Sequence, residues 1–400
     1  MDSNDSVHQK LPLEARFKVM GEQYSFFPAT RIILTEDGTR IVPNLTRQKH
    51  HEPGSELTVN LTTACNLRCK YCYQEQYDNR SLSLQHVQRA LKQFSEVTIL
   101  PLVSIHFFGG EPLLEFPLMK EIISLCKCKY PGLTFSVVTN GTLLDKDIAT
   151  FFKTNGINVI VSWDGYGGYR VDSKGRDSSK QVLTNILEAA PILKDKLWVR
   201  FTVTPDVKDL VGPICDLSKA QIRQIIVKDV SYEGNNIVRA EIKRQKELYR
   251  DLAVYYLKEH QQGRSFLLCA RGVGFSTILD DLSITNHRKL GCQGGISKIT
   301  LTADGDYIPC PRYSKIKSIT LGSISVGLKE KYYKPFQAKC CPPACETCFA
   351  KPICGGPCHP DSDHKPPDCD ICKLIRYRTS LAVWLKHQML ENKLLHLNLT

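Results

Sequence analysis

The stretch Leu61-Thr-Thr-Ala-Cys65-Asn-Leu-Arg-Cys69-Lys-Tyr71-Cys72-Tyr73 decides how this chain is read. Three cysteines stand at gaps of three and then two residues, directly after a short apolar-alternating strand expected over Glu56–Thr62. They therefore fall in the loop at a strand's carboxyl end, where parallel α/β sheets and barrels carry their ligands. Three thiolates can hold three irons of a 4Fe–4S cube and leave the fourth iron open. An open metal position is what separates a catalytic site from a closed structural one. On spacing alone, a zinc knuckle lacking its fourth ligand is the alternative.

Outward from these cysteines the chain alternates between strand and helix patterns. Strands are expected over Glu56–Thr62, Leu102–Phe108, Leu133–Thr139, Ile157–Ser162, Leu197–Thr204 and Ile222–Val230. Helical spacing comes after each, over Ser83–Phe94, Pro117–Cys128, Leu144–Thr154, Lys180–Leu193, Leu210–Ala220 and Ile242–His260. Strict alternation implies parallel strands with right-handed crossovers, hence an α/β fold. The pattern suits a partial barrel and an open doubly wound sheet equally. Residues 1–55 read as a β-rich lead-in with a hairpin turning at Glu36-Asp-Gly38. After about residue 265 the alternation is expected to stop, with a closing helix over Thr379–Leu394.

The cysteine triplet with Tyr71 before its last member resembles the motif of the radical S-adenosylmethionine family. Further features of that family stand at successive strand ends. His106-Phe-Phe-Gly109-Gly110-Glu111-Pro112 resembles the motif that meets the methionine amino group. Thr139-Asn140-Gly141 and Ser162-Trp-Asp164-Gly165 resemble the positions that contact the ribose and carboxylate of the cofactor. Alone, each is a weak signal; together, each ending its own strand, they are specific. The resemblance implies a partial (β/α)6 TIM-like barrel over 56–265. It also implies a catalytic 4Fe–4S cluster on Cys65, Cys69 and Cys72 that reductively cleaves S-adenosylmethionine to a deoxyadenosyl radical. In such enzymes the cofactor carries the difficult step, and the protein binds, orients and excludes water.

Seventeen cysteines are many for a chain of 400 residues, and ten lie between 292 and 372. In a long chain without a signal peptide, clustered cysteines read as metal ligands rather than disulfides. Cys292, Cys310, Cys345, Cys348, Cys354, Cys358 and a last one, Cys369 or Cys372, resemble the SPASM extension of the radical family. It implies one or two auxiliary 4Fe–4S clusters, the nearer on Cys292, Cys310 and Cys358 and the farther on Cys345, Cys348, Cys354 and Cys369. The domains expected are thus a lead-in over 1–55, the barrel over 56–265, a Cys-rich SPASM domain over 266–378 and a C-terminal helix over 379–400. Asp281–Arg288 lacks the additional cysteine of fully ligated members. The nearer cluster then has an open iron, or Cys269, His287, Cys340 or Cys341 completes it. One or two structural zinc sites are the other reading of this region.

SPASM proteins mostly modify peptides or proteins, so the resemblance implies a peptide substrate and a crosslinking, thioether-forming or epimerising maturase. An electron donor such as flavodoxin or ferredoxin is implied as a partner. The sulfatase-modifying branch places an Asp directly after its second motif cysteine; here Pro311-Arg312-Tyr313 come after Cys310. Sulfatase-maturase-like protein oxidation, or radical modification of a small molecule or RNA, is the alternative. The net charge of +12 supports the latter, but the basic residues are dispersed and no nucleic-acid motif is present, so no nucleic-acid partner is expected. Tyr313, His287 and Arg170 are candidate acids or bases by type alone. No apolar run reaches the length of a membrane span, and the polar N-terminus lacks a signal-peptide core, so a cytoplasmic location is expected.

Overall fold

The computed structural model describes residues 14–27, 32–41, 55–74, 78–97, 101–230, 239–269, 273–282, 293–314, 319–328, 345, 347–354 and 370–397. Two sheets organise it. The smaller is antiparallel: β1 (Ala15–Val19), β2 (Glu22–Phe27) and β3 (Ile32–Thr35). Met20 and Gly21 turn the first hairpin with φ of 52° and 87°. A two-residue turn with both central residues left-handed suits strand twist, yet Met is a poor marker for it, so this hairpin escapes sequence reading. The turn at Glu36-Asp37-Gly38 carries the chain from β3 to the bridge between Leu34 and Arg40.

The larger sheet has β4 (Ser55–Asn60), β5 (Leu102–Phe108), β6 (Thr134–Thr139), β7 (Asn158–Ser162), β8 (Leu197–Val203) and β9 (Gln224–Asp229) side by side in chain order, all parallel. Between and after them run α1 (Leu84–Val97), α2 (Phe116–Lys129), α3 (Lys146–Thr154), α4 (Ser179–Leu193), α5 (Val211–Lys219) and α6 (Arg239–Gln261). Six strand–helix units stand where the alternation places them. The Asp145 carboxylate caps α3 by accepting from the Ile148 N–H at 2.8 Å, a bond that satisfies one orphan donor of the first turn.

Alternate residues of these strands face opposite ways. Leu57, Val59, Ile105, Phe107, Val137, Val159, Val161, Val199 and Ile225 are fully buried on the face that belongs to the core. The other face carries Glu56, Thr58, His106, Asn158, Ile160, Trp198, Arg200 and Gln224, all half-buried. A parallel sheet covered on both sides would be apolar on both. A polar, half-exposed inner face marks the lumen of an incompletely closed barrel.

Past residue 265 the structure departs from expectation. β10 (Leu267–Cys269) adds a further parallel strand beside β9, with α7 (Phe275–Leu282) after it, so the alternation continues for one more unit. The chain then returns to the opposite edge. β11 (Lys298–Leu301) pairs in parallel with β4, and β12 (Asp306–Ile308), β13 (Gly322–Ser323) and β14 (Gly327–Leu328) extend the sheet antiparallel. The C-terminal helix spans Asp370–Leu397, starting nine residues before the expected Thr379 and taking in Cys372. Its Leu381, Trp384 and Leu385 are buried in the core. This helix also receives the small sheet, with His387 Nδ1 2.8 Å from a Glu22 oxygen, and next to it the Phe17 ring stacks at 4.4 Å on Phe349 in the turn after Cys348. Arg378 on the same helix is 1% exposed, pairs with Asp229 at 2.7 Å and stacks over Tyr249 at 4.1 Å. Among the described residues no helix is long and apolar enough to cross a membrane.

Candidate active site

The loop from β4 carries Cys65, Cys69 and Cys72, all half-buried and all within each other's electrostatic reach. It is zipped to the segment after β7: the Arg68 N–H donates to the Val171 carbonyl at 2.6 Å and the Lys70 N–H to the Tyr169 carbonyl at 3.1 Å. Cys72 N–H closes a turn on the Cys69 carbonyl at 3.1 Å, and Cys348 closes the same turn on Cys345. The sulfurs receive N–H donors. Leu67 N–H lies 3.4 Å from Cys65 Sγ, Asn140 Nδ2 lies 3.8 Å from the same sulfur, and Arg170 Nη1 lies 3.9 Å from Cys69 Sγ.

The glycines of Gly109-Gly110-Glu111 serve this loop directly. Gly110 N–H donates to the Thr62 carbonyl and Glu111 N–H to the Ala64 carbonyl, both at 2.8 Å. A Cβ on Gly110 would lie 2.1 Å from the Ala64 oxygen, and one on Gly109, where φ is +131°, 2.4 Å from the Thr62 oxygen. Only hydrogen fits between the two backbones. The Glu111 carboxylate is wholly buried and accepts from Leu113 N–H at 3.0 Å, Thr139 Oγ1 at 2.7 Å and Asn140 N–H at 2.7 Å. Burial pushes this carboxyl up, against the pull of those three donors. Glu111 thus fixes the end of β6, where Asn140 in turn bonds Asn66 at 2.7 Å and the Thr142 hydroxyl at 2.7 Å.

At the ends of β7 and β8 lies a buried charge pair. Asp164 Oδ2 accepts from Arg170 Nε at 2.7 Å and from the Tyr71 hydroxyl, while Oδ1 accepts from Thr202 N–H at 2.7 Å. The Asp164 side chain is 1% exposed and that of Arg170 11%. Burial pulls the guanidinium's pKa down, but the Asp164, Tyr71 and Cys69 groups outweigh it and push it up. The guanidinium also sits 5.5 Å from the centre of the Tyr71 ring. Arg170 shares no motif with Asp164, six residues away, and its part in the site is not legible from periodicity. Beside the pair opens a cavity of about 300 Å³ lined by Asp164, Tyr166, Tyr169, Asp206 and Pro213 among others. Ser162 is buried at the end of β7.

Cys310 comes after β12 and lies within electrostatic reach of Tyr73, as do Arg200 and Arg312. Cys310 of the second cysteine group therefore lies near the residue that comes after Cys72. Cys345, Cys348 and Cys354 sit on a short turn and the single helical turn Lys351–Cys354. Cys292, Cys358, Cys369, Cys340, Cys341 and His287 lie outside the described residues. Tyr313 is 4% exposed, a packing residue rather than an accessible acid or base.

Among the described residues no three His, Cys, Asp or Glu side chains stand close enough together to hold a single metal ion. Three thiols on one loop, with N–H donors on two of them, suit the wider spacing of an iron–sulfur cube, whose iron-bound thiolates accept such bonds. Burial pushes the Cys69 thiol up to about 11, with the Arg170 charge pulling against it, and raises Cys65 as well. Ionising these thiols takes a strong positive centre close by, which iron supplies.

Residues 59–209 match the Radical SAM superfamily. That stretch holds the cysteine loop and β5 to β8 of the parallel barrel, so this part of the chain is a radical SAM domain. The chain is 34% identical over 139 residues to the cysteine-type anaerobic sulfatase-maturating enzyme of Clostridium novyi (strain NT), covering 30% of this chain and 36% of that one. It is 26% identical over 269 residues to the GTP 3',8-cyclase of Synechocystis sp., covering 64% and 78%. In three curated relatives the matched stretch spans 38%, 36% and 42% of the relative's length. The fold is shared with native anSMEcpe bound to AdoMet and the Cp18Cys peptide, with a TM-score of 0.68 at 20% identity over 85% of this chain and 99% of that one. Streptococcus suis SuiB bound to precursor peptide SuiA gives a TM-score of 0.59 at 17% identity over 77% and 72%.

Proposed function

We propose that this protein reductively cleaves S-adenosylmethionine at a 4Fe–4S cluster on Cys65, Cys69 and Cys72 and removes a hydrogen atom from a peptide. The observation that carries it is the convergence on one cysteine loop of side chains from separate strand ends: Asn140 after β6 on Cys65, and Arg170 after β7 on Cys69. The cluster, when bound, supplies the electron that breaks the carbon–sulfur bond of the sulfonium.

The chain's own residues position and shield. Gly109 and Gly110 let β5 press against the cysteine loop. Glu111 holds Asn140 in place. The Tyr71 hydroxyl is tied to Asp164, so the ring beside Cys72 is fixed. Asn140, Ser162 and Asp164 are the groups proposed to meet the ribose and carboxylate of the cofactor; of these, Asp164 lines the cavity. Cys310, Cys345, Cys348, Cys354 and Cys372, with Cys292, Cys358 and Cys369, are proposed ligands of one or two auxiliary clusters in a SPASM region over 266–378.

The peptide substrate is supported by the shared fold with two peptide-bound enzymes. The sulfatase-modifying branch fits less well. Pro311-Arg312-Tyr313 form a 3-10 turn directly after Cys310, where that branch carries an Asp. A flavodoxin or ferredoxin is the proposed electron donor, and the cytoplasm the proposed location.

Anaerobic reconstitution with iron and sulfide tests this. The expected result is about 8–12 irons per chain and deoxyadenosine on reduction with the cofactor. A colourless zinc protein that leaves S-adenosylmethionine intact would overturn it. Cys65→Ala, Cys69→Ala and Cys72→Ala should each abolish cleavage.

A further inference from the structure

The inner face of the barrel carries two polar side-chain groups that have no partner among the described residues. Asn60 shares that face with Glu56 and Thr58 by strand alternation, and Arg200 shares it with Ser162, its register neighbour. Asn60 is 5% exposed, yet its Oδ1 meets no donor among the described residues. A buried unpartnered carbonyl is costly to keep, so its retention points to a donor that arrives from outside. The Arg200 side chain is half-buried and makes no hydrogen bond or ion pair among the described residues, while its backbone carbonyl accepts from Trp163 N–H at 2.9 Å. The other cations here are engaged: Lys298 with Glu56 at 2.5 Å and Arg170 with Asp164 at 2.7 Å. Arg200 also lies within electrostatic reach of Tyr73, the residue after Cys72. An unpaired guanidinium is thus held in the lumen close to the first cysteine group.

A guanidinium's planar fork matches a carboxylate with two parallel N–H bonds. An amide oxygen such as that of Asn60 takes the N–H of a peptide backbone. β4 and β8 are four strands apart, roughly 19 Å around the sheet at the usual strand spacing. An extended segment of about five or six residues spans that reach.

Resting on the peptide reading above, we infer that Asn60 and Arg200 form a substrate subsite that selects a peptide segment bearing an Asp or Glu carboxylate. Arg200 receives the carboxylate, and Asn60 Oδ1 accepts a backbone N–H of the same segment.

The test uses the full-length, anaerobically reconstituted protein with S-adenosylmethionine, unreduced, and a degenerate decapeptide library. Retained peptides are sequenced by mass spectrometry. The wild type should enrich acidic peptides about tenfold, in line with a charge-assisted bidentate bond. Arg200→Gln should abolish that preference. Arg200→Lys, which keeps the charge without the fork, should retain part of it. Asn60→Ala should lower capture of all peptides while leaving the acidic preference. Iron content of each variant reports folding.

No acidic enrichment by the wild type, or enrichment that survives Arg200→Gln, overturns the subsite. So does displacement of captured peptides by GTP, which would assign the guanidinium to a phosphate. A tenfold loss of S-adenosylmethionine binding in Arg200→Gln also overturns it, because Arg200 then serves the cofactor. Failure to form deoxyadenosine on reduction speaks against the radical reading alone and leaves peptide capture readable.

Discussion

Arg170 donates to Asp164 at 2.7 Å and, with the same guanidinium, reaches the sulfur of Cys69 at 3.9 Å. One buried pair therefore couples the end of β7 to the cysteine loop, with the Tyr71 hydroxyl as a third member. Asp164→Asn strands a buried guanidinium. Removing one partner of such a pair costs roughly 3–5 kcal/mol. Urea unfolding should show that loss, and deoxyadenosine formation should fall with it. An unchanged midpoint would mean that Arg170 finds another counter-charge.

Glu111→Gln leaves the shape of the side chain but replaces one acceptor oxygen with a donor amide. Three donors converge on this carboxylate, so at least one then faces an N–H. The expected cost is about 1–3 kcal/mol, together with weaker binding of S-adenosylmethionine as Asn140 loosens. Equilibrium unfolding and cofactor titration measure the two effects separately. Stability that falls with cofactor affinity intact would detach Asn140 from the site.

Gly110→Ala places a methyl group 2.1 Å from the Ala64 carbonyl oxygen, and backbone on both sides leaves no flexible neighbour to yield. The cysteine loop must move. After reconstitution this variant should lose one cluster, about four irons per chain. Gly132→Ala is the control: its φ is +95° but nothing lies within 4 Å of the added carbon. It should cost about 1 kcal/mol of backbone strain and no iron.

Glu56 sets an acid limit. Burial pushes its carboxyl up, but hydrogen bonds from His106 and Lys298 outweigh that and bring it to about 2. A carboxyl lower in the folded than in the unfolded chain stabilises fully above its unfolded value, about 4.3. That contribution fades as pH falls from there through about 2. Glu56→Gln should therefore lower the melting temperature at pH 7 and flatten its dependence between pH 5 and 3. Identical wild-type and variant slopes over that window would contradict this.

The six barrel units are legible because Val, Ile, Leu and Phe occupy alternate strand positions and must be buried. The chain beyond residue 265 is harder to read. β10 is only Leu267-Leu-Cys269, too short for a period to show. β11 finds β4, whose residues lie some 240 positions earlier, and no local pattern announces such a partner. At the site, the strand-end motifs mark Gly109, Gly110, Glu111, Asn140 and Asp164, which the structure brings around one loop. The spacing does not reveal that the Glu111 carboxylate is taken up by protein donors. Arg170 lies in a loop whose position depends on the pairing of Lys70 with Tyr169, and a long-range backbone bond leaves no trace in composition.

The stacking of Phe17 on Phe349 and the bond between Glu22 and His387 set an order on the making of this molecule. The small sheet is made before the barrel but buries its apolar side on residues synthesised more than 300 positions later. Until then the side that carries Tyr24, Phe26 and Ile33 stays open to water. Domains that form as they emerge do so from the N-terminal end; here strands made before the barrel settle after it. Their docking ties them to Phe349, next to Cys348, and to the C-terminal helix, so the small sheet closes on a barrel already built.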